Sequence, residues 1–253
     1  MAYTTIDDPS AHFQTKIYSG QNSQLAVTND GNSDLKPDWL WIKSRNDSDI
    51  HVVTDSNRGT DLYLSTNSTL AEVSSTADVE AFGTDGFTVN GPNDRVNTGG
   101  GLYVAWQWKA GGGTTSTNND GAVASTVQVN STAGFSILTY TMNSGSNETV
   151  GHGLGVAPKI VITKARERGD SNGFWSFYTT IIDGSLDYLK LNTEGQKNNS
   201  SLSAPTSTVF TGAGSSTASY RIFVAYCFAE VQGYSKFGSY VGNGNANGTF
   251  VYT

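Results

Sequence analysis

The chain has 253 residues, enough for one large or two small domains and enough to bury a core without disulfide or metal staples. Only 15% of residues are charged, 29 are Gly and 5 are Pro, and Ser, Thr and Asn fill the gaps between short apolar runs, which favours turns and strands over long helices. A net charge of −7 with Lys and Arg scattered singly argues against nucleic acid as a ligand, and no run approaches the roughly 18 apolar residues of a membrane span, so no membrane insertion is expected.

The start, Met1 to Pro9, lacks the basic-then-apolar layout of a secretory signal, so production without Sec export is expected. Met1 to Ser10 has too few apolar residues to pack much core and reads as an attachment arm. A strand opens at Phe13-Gln14-Thr15-Lys16-Ile17-Tyr18. In Pro37-Asp38-Trp39-Leu40-Trp41-Ile42-Lys43-Ser44-Arg45, period-two alternation puts Trp39 and Trp41 on one face. Leu62-Tyr63-Leu64-Ser65-Thr66 is the next strand, and Thr69 to Val73 has room for one short helical turn. Asp85-Gly86 and Asn90-Gly91 are tight-turn signals, and Tyr103-Val104-Ala105-Trp106-Gln107-Trp108 places Trp106 and Trp108 on one face. The stretch from Ala110 to Gly121 has the composition of a flexible linker.

Beyond that stretch the same series returns. Phe135-Ser136-Ile137-Leu138-Thr139-Tyr140 opens it, and Gly151-His152-Gly153-Leu154-Gly155, which precedes a strand where an anion loop would precede a helix, reads as a turn into Pro158. Pro158 to Arg166 keeps the Pro, Lys and Arg of the earlier strand, Leu189 to Thr193 answers Leu62 to Thr66, and Phe223 to Phe228 answers Tyr103 to Trp108. Three matches in the same order point to an internal repeat. A third opening, Phe237-Gly238-Ser239-Tyr240, continues through Phe250-Val251-Tyr252 and stops where the Pro-led strand is due. Either further repeats follow, or this segment completes the second module by pairing with its edge. The expected fold is all-β: two tandem antiparallel β-sandwich modules of jelly-roll or lectin-like type, able to fold separately. The expected boundaries are 1–112 for the first repeat with its arm, 113–122 for the linker, 123–236 for the second repeat, and 237–253 for the third opening or completing strand.

Chemistry has few candidates. His12, His51 and His152 lie in unrelated contexts, without the spacing of a metal site or catalytic triad. The carboxylate pairs Asp55 with Asp61 and Asp85 with Asp94 are the places to look for glycan cleavage, and Asp55 to Asp61 for calcium, but polar turns explain both better. Cys227, the single cysteine, sits in an apolar run and reads as a buried, inert thiol. Sequons such as Asn67-Ser68-Thr69 are expected to stay unmodified without a secretory route. The tryptophans at 39, 41, 106 and 108 read as core, because their counterparts Ile160, Ile162, Tyr226 and Phe228 share hydrophobicity and little else. Trp175, after a Gly/Asp/Asn turn, is least explained by a core and is the candidate ligand-binding residue; no catalytic, cofactor-binding or metal-ligating residue is expected.

The Phe-led openings, the Pro-led strands, Tyr103 to Ala110, and Tyr226-Cys227-Phe228-Ala229-Glu230-Val231 followed by Gly233-Tyr234-Ser235-Lys236-Phe237-Gly238 together resemble a repeated domain of unknown function in virion proteins of marine bacteriophages, cyanophages among them. The resemblance implies a non-enzymatic virion structural protein on the particle exterior, made in the host cytoplasm. It further implies a tail fibre or surface appendage that contributes to recognition of host-surface glycans, assembled as a homo-oligomer and with other virion proteins. A capsid decoration or knob protein is the alternative, and a glycan depolymerase a weaker one.

Overall fold

The computed structural model describes residues 4–143, 146–214 and 222–250. Among them the only helical element is one 3-10 turn, Pro9–Ala11. The strands of the first half are β1 (Phe13–Ser19), β2 (Leu25–Val27), β3 (Trp39–Ser44), β4 (Val52–Asp55), β5 (Gly59–Leu64), β6 (Val73–Ser74), β7 (Val79–Phe82), β8 (Phe87–Val89) and β9 (Leu102–Trp108). Those of the second half are β10 (Ser116–Asn118), β11 (Ser125–Asn130), β12 (Phe135–Thr141), β13 (Glu148–Gly151), β14 (Ile160–Ala165), β15 (Trp175–Thr179), β16 (Asp187–Lys190), β17 (Asn198–Asn199), β18 (Val209–Gly212) and β19 (Ile222–Phe228). The protein is all-β, built from antiparallel sheets in a sandwich-like arrangement, and no helix among the described residues is long and apolar enough to cross a membrane.

Each half contributes one large sheet and one small one. The first large sheet runs β1-β9-β3-β4-β5-β6, and the second runs β10-β11-β12-β19-β14-β15-β16-β17. Trp108 on β9 stands opposite both Phe13 and Trp39, and Phe228 on β19 stands opposite both Phe135 and Ile160. Alternation sends Leu40, Ile42, Tyr103 and Ala105 to one face, where they pack on Val27, Val79, Phe87 and Val89 of the small sheet β2-β8-β7. In the second half, Leu138, Tyr140, Val161, Ala225 and Cys227 pack on Val150 and Phe210 of the β13-β18 pair. Asp85-Gly86 makes the β7–β8 turn as expected: Gly86 has φ +101°, and a Cβ there would collide with the carbonyl of Val27. Asn90-Gly91 instead follows the end of β8.

The other face of each large sheet is also apolar, and the two faces pack on each other. Trp39, Val53 and Leu64 from the first meet Phe135, Ile137, Ile160, Ile162, Trp175, Val224 and Tyr226 from the second. The molecule is therefore four β layers with three cores, the middle one a seam shared by the halves. The strands cross at this seam: Asn57, in the β4–β5 turn, donates to Thr126 O (3.0 Å) and Ile137 O (3.3 Å) on β11 and β12, while Ser65, past the end of β5, accepts from Trp175 on β15 at 2.7 Å.

Several expectations change here. The segment expected to be a flexible linker is tied down: Ser116–Asn118 pairs with β11, and buried Asp38 accepts hydrogen bonds from Ala110 N (2.7 Å) and Gly112 N (2.8 Å). The halves, expected to fold separately, bury one face of each large sheet against the other. Thr69 to Val73 forms no helical turn, because Val73 pairs with Tyr63 as a strand. The described part of the N-terminal segment, read as an attachment arm, packs on the body, with Ile6 buried and Asp8 accepting from Ser10 N (2.9 Å) and Ser33 Oγ (2.6 Å). Phe237 packs against Phe228, but residues 238–250 form no strand; Met1 to Tyr3, Val251 and Tyr252 lie outside the described residues.

Candidate functional site

The seam opens at one end. There Phe13, Trp41 and Trp108 face Ile162, Phe177 and Phe228 across a cleft of about 440 Å³ floored by Trp39, within the usual range for ligand pockets. Trp41 and Trp106, opposite each other on β3 and β9, are both half-buried with ring centroids 5.7 Å apart, edge to face. On the same face, Val104 is half-buried and Ile17 exposed, so the indole pair continues the cleft as an apolar platform on a rigid sheet. Trp39 is buried, stacked against Tyr226 at 4.3 Å, and its Nε1 is one of the buried polar atoms with no hydrogen-bond partner.

Two histidines border this region. Trp41 Nε1 lies 3.3 Å from His51 Nδ1, and an indole N–H can only donate, so Nδ1 accepts and the His51 proton sits on Nε2. Thr66 Oγ1 also reaches Nδ1, at 2.8 Å. His12 at the cleft rim has the same tautomer: Asn130 Oδ1 accepts from Ala133 N, which turns its amide nitrogen towards His12 Nδ1 at 3.0 Å. Burial, aided by the Lys43 ammonium, pushes His51 from 6.5 down to about 4, and burial also lowers His12 and His152. An unfolded chain takes up these protons first as the pH falls, so stability should decline between pH 6.5 and about 4. In His51→Gln the urea midpoint is expected to fall less steeply over that window; an unchanged slope would show that His51 is not held neutral.

A family model matches residues 8–253. The chain belongs to the family described as Domain of unknown function (DUF7483). No curated protein and no solved structure matches it. The matched span of the DUF7483 chain includes both large sheets and the seam between them.

The sequence candidates are placed as follows. Trp175 has no face for a ligand, which corrects the expectation: it is wholly buried in the seam, donates its Nε1 proton to Ser65 O at 2.7 Å, and stacks towards Tyr226. The signal was Trp175 with Phe177, two residues apart and on the face that carries Ile160 and Ile162. Asp55 and Asp61 are not brought together, Asp55 being buried beneath Arg58 and Asp61 exposed on β5. Asp85, in the β7–β8 turn, accepts from the distant Leu35 N at 3.2 Å, and Asp94 accepts from Thr98 Oγ1 at 2.6 Å within its own loop. Among the described residues no group of three or more His, Cys, Asp or Glu could hold a metal. His152 of the DUF7483 chain is a buried brace, bonded through Nε2 to Thr206 O and through Nδ1 to Leu154 N. Cys227 is buried in the second outer core, where burial raises its thiol to about 12.

Sequence reading missed a charged cluster in the seam. Arg58 Nε meets Asp55 at 2.6 Å and Arg58 Nη1 meets Glu72 at 2.8 Å, while Arg166 from the other half meets Glu72 at 2.6 Å. Tyr226 OH donates to Asp55 at 2.7 Å. Lys164, also buried, donates to the carbonyls of Arg168 (2.9 Å), Gly173 (3.0 Å) and Thr69 (3.3 Å), and so ties β14 to the first half.

Proposed function

We propose that this chain is a structural protein of a bacteriophage virion, a tail fibre or other surface appendage, in which the Trp41–Trp106 platform and its cleft take the ring of a host-surface glycan. The observation that carries this reading is the pair of half-buried indoles on a sheet locked from behind by its own core and alongside by the seam. An indole face complements the C–H face of a sugar ring, and the His51 Nε2–H and the Lys43 ammonium border the platform as hydrogen-bond donors.

The architecture is read as a duplicated sandwich unit. From β1 the first large sheet runs β1-β9-β3-β4-β5-β6; from β12 the second runs β12-β19-β14-β15-β16-β17, the same order of corresponding strands. The correspondence also explains the site's asymmetry. Where the first half has Trp39, Trp41 and Trp108, the second has Ile160, Ile162 and Phe228, so only one copy of the unit carries the indoles. The virion assignment draws on the resemblance of the Pro-led and Tyr103-type strands, and the appendage role on a body braced by three cores.

The test is a glycan array probed with the full chain and with Trp106→Ala and Trp41→Ala. At least a tenfold loss of retention is expected in each variant, with far-ultraviolet circular dichroism unchanged. Retention equal to the parent chain in both would remove the platform from the reading. Gold-labelled antibodies on intact particles then locate the protein: label on the tail fits an appendage, and label spread evenly over the head fits a capsid decoration protein.

A further inference from the structure

We propose that a second copy of this chain adds its C-terminal segment, residues 239–250, as a strand along the open edge of β1, so that copies join edge to tail. The inference does not depend on the glycan reading, because it concerns the edge of the first large sheet and not its face.

Among the described residues strand β1 has one neighbour, β9. Lys109 N donates to His12 O, and Gly20 N to Gly101 O, each at 2.9 Å, which brackets the β1–β9 ladder. By antiparallel alternation the even-numbered residues of β1 bond to β9, so the amides and carbonyls of Thr15, Ile17 and Ser19 point outwards. Among the described residues the neighbouring loop reaches β1 through side chains only, Lys16 to Asp30 and Gln14 to Gly31 N and Ser33 O, and no backbone bond reaches that edge. The second sheet shows what belongs there. Its corresponding strand, β12, carries β11 on that edge and β10 beyond it. An uncovered edge of this kind is a template for strand addition.

The C-terminal segment has the opposite deficiency. The four most exposed large apolar side chains among the described residues are Ile17 on β1, at 61%, and Tyr240, Val241 and Phe250 in this segment, at 70%, 86% and 86%. The segment follows Phe237, which is fixed against Phe228, and the run Phe237-Gly238-Ser239-Tyr240 leading into it is similar to the Phe-led strands at Phe13 and Phe135. Its side-chain links, Ser239 Oγ to Ile181 O (3.3 Å) among them, form no ladder. Pairing it with β1 of another copy would cover an exposed strand edge and an exposed apolar segment together. Because edge and tail are different surfaces, the contact is head to tail and can propagate.

Light scattering on the full chain and two variants tests this. One variant ends at Gly238 and lacks the tail. The other, Ile17→Pro, loses an amide that bonds to nothing within its own sheet and places a ring on the edge, a position where strands accept proline. The full chain is expected to assemble with rising concentration into multiples of the single-chain mass, and each variant alone to stay at that mass. Mixing the two variants should give a 1:1 complex of twice the mass, since one offers only an edge and the other only a tail. A full chain that stays monomeric, with or without its own tail on its own β1, would overturn the proposal, as would assembly that persists in both variants or a mixture that never pairs. If Ile17→Pro fails to fold by circular dichroism, Ile17→Lys sets a charge on the same edge and carries the same expectations.

Discussion

Replacing Arg58 with alanine is expected to lower the free energy of unfolding by about 3–5 kcal/mol, the scale of breaking a buried ion pair from one side. The Arg58 side chain has no solvent exposure, and neither does that of Asp55, its partner at 2.6 Å. Nη1 is taken by Glu72, and Nη2 reaches Val53 O at 3.2 Å and Tyr226 OH at 3.3 Å. Burial opposes the guanidinium charge, yet Asp55, Tyr226 and Glu72 together hold Arg58 above its ordinary value. Burial likewise works against the Glu72 charge, but Arg166 and Arg58 hold its carboxyl below the usual range, so its share of stability is present above about pH 4.5 and lost as the pH falls further. Alanine would leave the buried Asp55 carboxylate group without its guanidinium partner, with Tyr226 and two backbone amides as its remaining contacts. At roughly 2–4 °C per kcal/mol for a chain of this size, a fall in Tm on the order of 10 °C is expected in calorimetry. Lys16→Ala is the control. The Lys16–Asp30 pair is solvent-exposed on the aspartate side and should cost less than about 1 kcal/mol. If both variants lost the same small amount, the seam cluster would be electrostatically no different from the surface.

That cluster also marks where sequence reading runs out. The turn at Asp55-Ser56-Asn57-Arg58 was legible, and Asp55 does accept from Asn57 N as an Asx turn requires. Its partner Tyr226 lies 171 residues away, and no local pattern connects them. Strand alternation was legible too: Trp39 with Trp41, and Trp106 with Trp108, share a face as period two demands. What that face packs against was not. The runs Trp39-Leu40-Trp41-Ile42 and Val224-Ala225-Tyr226-Cys227 are apolar on both faces, the signature of strands covered on both sides. A sandwich standing alone has a solvated outer face, so these runs already required a partner sheet for each half. Reading Gly111-Gly112-Gly113 as flexible linker hid that requirement. Gly112 is held by Asp38 and Gly113 by Gln128 Oε1, and the place of Asp38 in Pro37-Asp38-Trp39 gave no hint of its reach to Ala110 and Gly112. Trp175 was misassigned for a related reason, as the layer that buries it belongs to the other half of the chain.

If the seam makes the halves one unit, Trp39→Ala should both weaken and divide the molecule. Trp39 is the largest first-sheet side chain buried in the seam, with Tyr226 and Trp108 at 4.3 Å and Phe135 and Phe228 within 6 Å by ring centroid. Truncating a buried tryptophan costs about 3–5 kcal/mol, through lost transfer energy and the cavity left behind. Each half keeps a separate outer core, so the damage falls on the layer that couples them. The parent chain is expected to unfold in urea in one transition, with tryptophan fluorescence and far-ultraviolet circular dichroism coincident. In Trp39→Ala the transition should move to lower urea and separate into two, the probes no longer superimposing. Trp39→Phe should cost less, because it keeps much of the ring stacking and deletes an indole N–H that is buried without a partner. Two transitions already in the parent chain would mean that the halves fold independently despite the shared core. One transition in the parent and two in Trp39→Ala would locate their coupling in this layer.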